Sequence, residues 1–281
     1  MKQRREAILR EMGLAPLWKL RQRETPEEIE SPEELVQEAA TPASRPIPRS
    51  RLSPRPERRA VVEAAAQAIE ASSPAVSSPP TEEAEARRRR IASLDWEALE
   101  ADIRGCTACR LCEQRQQAVP GVGDREARIM FIGEGPGAEE DRRGEPFVGA
   151  AGKLLDAMLG SIGLQRQQGV YIANTVKCRP PRNRTPEEDE IAVCRPYLDR
   201  QIELIKPQLL VALGRPAAQT LLNSSDVRIG AARRQNFEHA GIPLFVTYHP
   251  AYLLRNPLDK ALAWEDLCRM RAHLSSAGDK G

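Results

Sequence analysis

The sequence predicts an α/β fold: a three-layer αβα domain with a central, mainly parallel four-stranded sheet, preceded by a disordered N-terminal tail. Three observations carry this. From residue 91 onward, short apolar runs bounded by turn residues alternate with helical patterns, the signature of a parallel sheet covered on both faces. Of the 23 prolines, eleven fall before residue 81. Of the eleven aromatic residues, only Trp18 precedes residue 91. The core therefore belongs to residues 91–275, enough chain to bury roughly 70% of its unfolded surface, with 276–281 a flexible end.

In chain order, residues 1–22 begin with REAILREMGLAPLW (5–18), which puts Ile8, Leu9, Met12, Leu14 and Trp18 at near-helical spacing before Gly13 and Pro16 end the pattern. It reads as a short amphipathic docking helix. Residues 23–90 mix Pro, Ser, Glu and Arg and include the run Arg87-Arg88-Arg89-Arg90. Such a composition buries too little apolar area to offset chain entropy, so this stretch reads as a disordered linker. The strands expected next are 127–133, 170–174, 208–214 and 243–247, with helices at 153–162, 186–205, 216–222 and 258–274. Ligands of such sheets sit at the carboxyl ends of the strands. That rule selects GEGPG (133–137), NTVKCRPP (174–181), GRPAAQ (214–219) and YHPAYLLR (248–255) as the segments that build a site.

Net charge is only +2, so a basic surface for nucleic acid has to be local. No apolar run is long enough to cross a bilayer, and the N-terminus is charged where a signal peptide is apolar. A cytoplasmic monomer without membrane attachment is expected. In that compartment clustered cysteines more often bind metal or do redox work than form disulfides. Cys106-Thr-Ala-Cys109 is a C-x2-C pair open to zinc, iron–sulfur or redox use, and Cys178 and Cys194 can complete a four-thiolate site. Cys194 equally reads as a buried free thiol beside Ile191, Leu198 and Ile202.

The string CTAC with a following Leu, then VPG, GEGPGAEED, GEPFVGAAGKLLD, NTVKCRPPRNRTPEEDEIAVC and TYHPAYLLRNP resembles the family 4 uracil-DNA glycosylases from Cys106 to about Leu267. The resemblance implies hydrolysis of the N-glycosidic bond of uracil in DNA, releasing the base and leaving an abasic site. It also implies a [4Fe-4S] cluster on Cys106, Cys109, Cys178 and Cys194, with zinc in the same cage as the alternative. Cys112 and Cys268 receive no role from it.

For that reaction a flipped base has to be held by stacking and by hydrogen bonds to its edge. Phe147 is assigned to stacking. Asn174, with a donor and an acceptor, is assigned to the O4 and N3–H edge of uracil, and His249 to donating to O2 as charge gathers there. Backbone N–H groups of the turn that contains Gly133 and Gly135 are expected to add to this. Better-known uracil glycosylases carry an Asp where this chain has Gly135, so Glu134 and Glu140 are the candidates for activating water. Arg179, Arg182 and Arg184 are expected to meet phosphates, and Leu253, Leu254 and Arg255 to wedge into the gap left by the base. Rival readings are a catalytically silent cluster protein that binds DNA, and a variant trapped on its product through His239. Finally, residues 4–21 resemble the N-terminal peptide of the psi subunit of bacterial DNA polymerase III, which implies a clamp-loader partner for the N-terminal helix.

Overall fold

The computed structural model describes residues 82–278; the docking segment 1–22 and all but the end of the expected linker lie outside them. Four parallel strands form the middle of the sheet: β2 (Ile129–Gly133), β3 (Val170–Asn174), β4 (Leu209–Leu213) and β6 (Ile242–Thr247). Two short antiparallel strands add to its edges, so the sheet has six strands rather than four. β1 (Val122–Gly123) pairs with β3, and β5 (Phe237–His239) with β6, giving the order β1-β3-β2-β4-β6-β5.

The three layers follow from strand alternation, since successive side chains point to opposite faces. On β2, Met130 and Ile132 face one core, together with Leu198 and Ile202 of α5 (Glu188–Ile205) and Ala217, Ala218 and Leu221 of α6 (Arg215–Leu222). Ile129 and Phe131 face the other, against Leu155 and Leu159 of α4 (Ala150–Ser161) and Leu267 and Met270 of α9 (Lys260–Gly278). Every residue of β2, β3 and β4 is buried, which is why these strands read as continuous apolar runs. Shorter helices lie between: α3 (Ala138–Arg143), α7 (Ile229–Ala232) and α8 (Pro250–Arg255).

A third cluster departs from the expected boundary at residue 91, which falls inside helix α1 (Glu82–Ala92). Ile91 is fully buried with Leu99 and Ile103 of α2 (Trp96–Gly105), Tyr197 of α5, and Cys178 and Cys194. The arginine run is part of this packing rather than of a linker. Arg87 lies over the Tyr197 ring at 4.9 Å and donates to the Val193 carbonyl. Arg90 is bidentate on Asp102, which also accepts from the Tyr197 hydroxyl.

Ile91→Ala should therefore lower the unfolding free energy by about 2–5 kcal/mol, as for other buried isoleucines, in urea titrations of the full chain. The exposed Arg88→Ala should stay within about 0.5 kcal/mol of the parent. Equal, negligible effects would place residues 82–92 outside the cooperative unit.

Candidate active site

The carboxyl ends of β2 and β3 lie side by side, Gly133 paired with Asn174. A side chain at 133 has no room: a Cβ there would lie 2.4 Å from Asn174 Oδ1 and 2.7 Å from the Phe147 ring. Asn174 is 2% exposed, and its Oδ1 is buried without any hydrogen-bond donor among the described residues. The Phe147 ring stands beside it, 5.5 Å from the His249 ring at an interplanar angle of 31°. His249 follows β6 and is drawn close by Gly214 at the end of β4, where φ is +86° and a Cβ would meet that of His249 at 2.8 Å. Phe147, Asn174 and His249, expected from the sequence to share one site, are thus brought together.

Phe147 adopts φ +55°, a backbone conformation that costs a non-glycine residue free energy unless its surroundings hold it. Glu140 Oε1 accepts from the N–H groups of Val148 and Gly149, at 3.0 and 3.1 Å. Arg166 donates to the carbonyls of Pro146 and Phe147, both at 2.8 Å. Glu140 is therefore engaged in fixing the Phe147 turn, a different task from the water activation expected of it. Arg166 was not legible as a site residue, because its loop carries no motif.

His249 Nδ1 accepts from the Ala251 N–H at 3.1 Å. That bond assigns the proton of the neutral ring to Nε2, which leaves Nε2–H free to donate. Burial, helped by the charge of Arg255, lowers the pKa of the imidazole to about 4, so the ring is neutral at physiological pH. His249 lines a cavity of about 680 Å³ with Glu134, Gly135, Arg215, Tyr248 and Arg255, whereas Phe147 and Asn174 are buried and do not line it. Burial raises the pKa of the Glu134 carboxyl, against a hydrogen bond from Thr185. Of the two glutamates, Glu134 is the one that faces the cavity without a backbone-capping duty. His239, by contrast, sits on edge strand β5 with Nδ1 against the Leu221 carbonyl, and does not line this cavity.

The expected DNA contacts divide. Arg255 is exposed beside His249, and Leu254 is 43% exposed. Leu253, one position earlier on α8, is 1% exposed and belongs to the core with Phe131 and Leu155, so it cannot wedge into DNA. Arg179 holds Asn183, and Arg182 is exposed. Arg184 is bidentate on Glu190, at 2.6 and 2.8 Å, and is therefore a loop brace before it is a phosphate contact. Glu190 is fully buried and also accepts from Arg110 and from the Glu187 N–H. Arg184 foremost, with these other donors, holds its carboxyl down to about 2.

Cys106, Cys109, Cys178 and Cys194 line one small cavity, and Cys112 joins them; Cys268 lies apart on α9. Donors face the sulfurs: Arg115 to Cys178 at 2.9 Å, the Lys177 N–H to Cys194 at 3.3 Å and Arg87 to Cys106 at 3.7 Å. Such a donor set fits thiolates, although burial, opposed by Lys177, leaves the Cys194 thiol pushed up to about 12. Among the described residues no group of three or more His, Cys, Asp or Glu is arranged to hold a single metal ion. Lys177, 1% exposed, runs from this cavity to the base site, its ammonium donating to the Asn174 carbonyl at 2.8 Å and to Gln201 at 2.7 Å.

Removing the Glu190 charge tests the brace that links the Cys109 loop, the Arg184 loop and α5. Glu190→Gln should cost about 1.5–3 kcal/mol at pH 7, the range for hydrogen bonds to a charged group. A carboxyl with a depressed folded pKa stabilises above its unfolded value and loses that contribution on acidification. The gap between parent and variant should therefore close as pH falls from about 4.5 toward 2, and a gap that persists at pH 2 would refute the assignment.

Comparison with known proteins agrees with this geometry. Residues 120–268 match the model of the Uracil DNA glycosylase superfamily. The type-4 uracil-DNA glycosylase of Sulfurisphaera tokodaii is 46% identical over 183 residues, covering 62% of this chain and 83% of that protein. That of Thermotoga maritima is 41% identical over 185 residues, 65% of this chain and 96% of the relative. A type-5 uracil-DNA glycosylase of Thermus thermophilus is 33% identical over 188 residues, 53% and 85% of the two chains. With a strand-end Asn, a clamped Phe and a neutral His all inside the matched residues 120–268, the chain belongs to the uracil DNA glycosylase superfamily, on its type-4 branch.

Proposed function

We propose that this protein removes uracil from DNA by hydrolysing the N-glycosidic bond, and the buried, unpartnered Oδ1 of Asn174 is the observation that carries the reading. An acceptor held out of water is destabilising until a donor arrives. Uracil N3–H supplies one. Cytosine has a lone pair at the same ring position and would face acceptor with acceptor. Phe147 stacks on the base, and His249 Nε2–H donates to O2 as negative charge develops on the leaving uracil. Because the ring is already neutral and oriented by Ala251 N–H, no reorganisation is needed at the moment of bond breaking. Glu134, half-buried beside the Gly135 turn, orients the attacking water. Arg255, Arg179 and Arg182 meet the phosphates.

In the same reading, Cys106, Cys109, Cys178 and Cys194 hold a [4Fe-4S] cluster, which when bound cross-links the loop after α2, the segment after β3 and α5. Lys177 then carries the effect of that cross-link to Asn174 through its bond to the Asn174 carbonyl. A clamp-loader partner for residues 1–22 and a cytoplasmic location remain part of the proposal on sequence grounds.

Uracil release from a single-stranded oligonucleotide under single-turnover conditions tests the activity directly; no release sinks the reading. His249→Ala should slow the chemical step by about 100–1000-fold, the effect of deleting one preorganised donor. A loss confined to substrate affinity would assign His249 to binding alone. With a folded pKa near 4 against about 6.5 unfolded, the ring stays neutral, with Nδ1 accepting from the Ala251 N–H, down to about pH 5, so the His249 contribution to the rate should show no titration near pH 6.5. The same shift makes protonation favour unfolding, so stability should fall as pH drops from 6.5 toward 4.

For the cofactor, anaerobically purified Cys178→Ala should lose the visible absorbance and iron content of the parent, and Cys268→Ala should keep both. Bleaching by Cys112→Ala with Cys109→Ala unaffected would move the ligand by one cysteine.

A further inference from the structure

Among the described residues, only two large hydrophobic side chains are exposed: Leu254, at 43%, and Leu258, at 91%. Both lie within nine residues of His249, on α8 and on the 3-10 turn Pro257–Asp259 that follows it. One exposed leucine is ordinary on a soluble protein. Two that adjoin the cavity-lining Arg255 and the Tyr252–Asp259 bond are not scattered in that way.

The segment that carries them is braced. Tyr252 stacks on Tyr248 at 5.2 Å and 11°, and its hydroxyl donates to Asp259 at 2.7 Å. The N–H of Asn256 donates to the Tyr252 carbonyl, and that of Asp259 to the Asn256 carbonyl. Leu258 is therefore presented on a turn tied at both ends, with Pro257 fixing the backbone before it. Arg255 lies between the two leucines with no acidic partner among the described residues. A free cation flanked by two apolar tips matches a phosphate beside unstacked bases, which is the surface a duplex presents where one base has left the stack. It does not match a second copy of this chain, which would bring a second uncompensated Arg255 to a self-facing contact.

We infer that Leu258 is a second DNA-penetrating residue: while Leu254 fills the gap left by the flipped uracil, Leu258 packs against the disrupted base stack of the duplex. The inference rests on the uracil-excision reading and concerns double-stranded substrate alone. In a single strand there is no duplex stack to hold open, so Leu258 has nothing to do there.

The test compares single-turnover uracil release by the full chain and its Leu258→Ala and Leu258→Asp variants on one oligonucleotide, single-stranded and as a U·A duplex. Leu258 is almost fully exposed, so neither variant should perturb folding, and thermal unfolding of each serves as the check. Release from the duplex should fall by about 10–100-fold, as expected when the burial of one leucine is lost, with Asp at the larger end. Release from the single strand should stay within twofold. Duplex release unchanged in both variants overturns the inference, as does an equal loss on both substrates, which would mean that Leu258 supports the pocket itself. Absence of release by the parent on either substrate would instead reject the excision reading.

Discussion

The side-chain oxygen of Asn174 is buried with no donor among the described residues to meet it, and much of the site consists of what keeps it there. Leaving such an acceptor unsatisfied costs about 1–3 kcal/mol. The fold tolerates this because Asn174 ends a strand buried along its whole length and paired on both sides, to β1 and β2. Gly133 gives the amide space, the Phe147 ring covers it, and Lys177 grips the carbonyl of the same residue. A flexible side chain would simply turn toward water; here the register of the sheet forbids it.

Two charged groups then tie this pocket to the cysteine cavity. Lys177 places an ammonium in the interior with two neutral acceptors, and burial lowers its pKa to about 8. Its neighbours Asn174 and Cys178 belong to the base site and to the cysteine cavity respectively, so one short segment serves both. Glu190 performs the opposite task with a carboxylate, collecting Arg110 from the cysteine loop and Arg184 from the rim of the base cavity. One helical turn beyond it stands Cys194. A disturbance at the cysteines thus has a short, rigid route to Asn174, the residue proposed to read the base. That makes a structural role for a bound cluster sufficient, without electron transfer in the reaction.

Much of this was legible in the sequence, for reasons that differ from element to element. Three of the four central strands announced themselves because both faces are buried, so each is a nearly continuous apolar run, and the fourth, Ile242–Thr247, is only partly covered but still mostly apolar. The segments at their carboxyl ends could be nominated as a site from topology alone. The edge strands could not, since Val122–Gly123 is two residues long and Phe237–His239 only three, too short for an alternation to stand out. Helix Glu82–Ala92 was hidden because it has one buried apolar residue, Ile91, among seven charged ones; what holds it is arginine packing on Tyr197, which composition reads as solvated charge. Leu253 and Leu254 differ by one position, or about 100° around a helix, and only the packed structure shows which faces the core. Arg184, expected to meet DNA, and Glu140, expected to activate water, are instead engaged by Glu190 and by the Val148–Gly149 backbone, partners that sequence patterns do not reveal.

On the proposed reading, recognition of uracil sacrifices stability at a single atom, Asn174 Oδ1. Asn174→Leu, similar in shape and apolar, tests it most directly when the unfolding free energy and uracil release are measured on the same preparation. The account predicts that stability holds or rises, by up to about 1–3 kcal/mol as the unsatisfied acceptor is removed, while release of uracil is lost. A variant that is destabilised yet still releases uracil at the parental rate would show that Asn174 is a structural residue and that the base is read elsewhere.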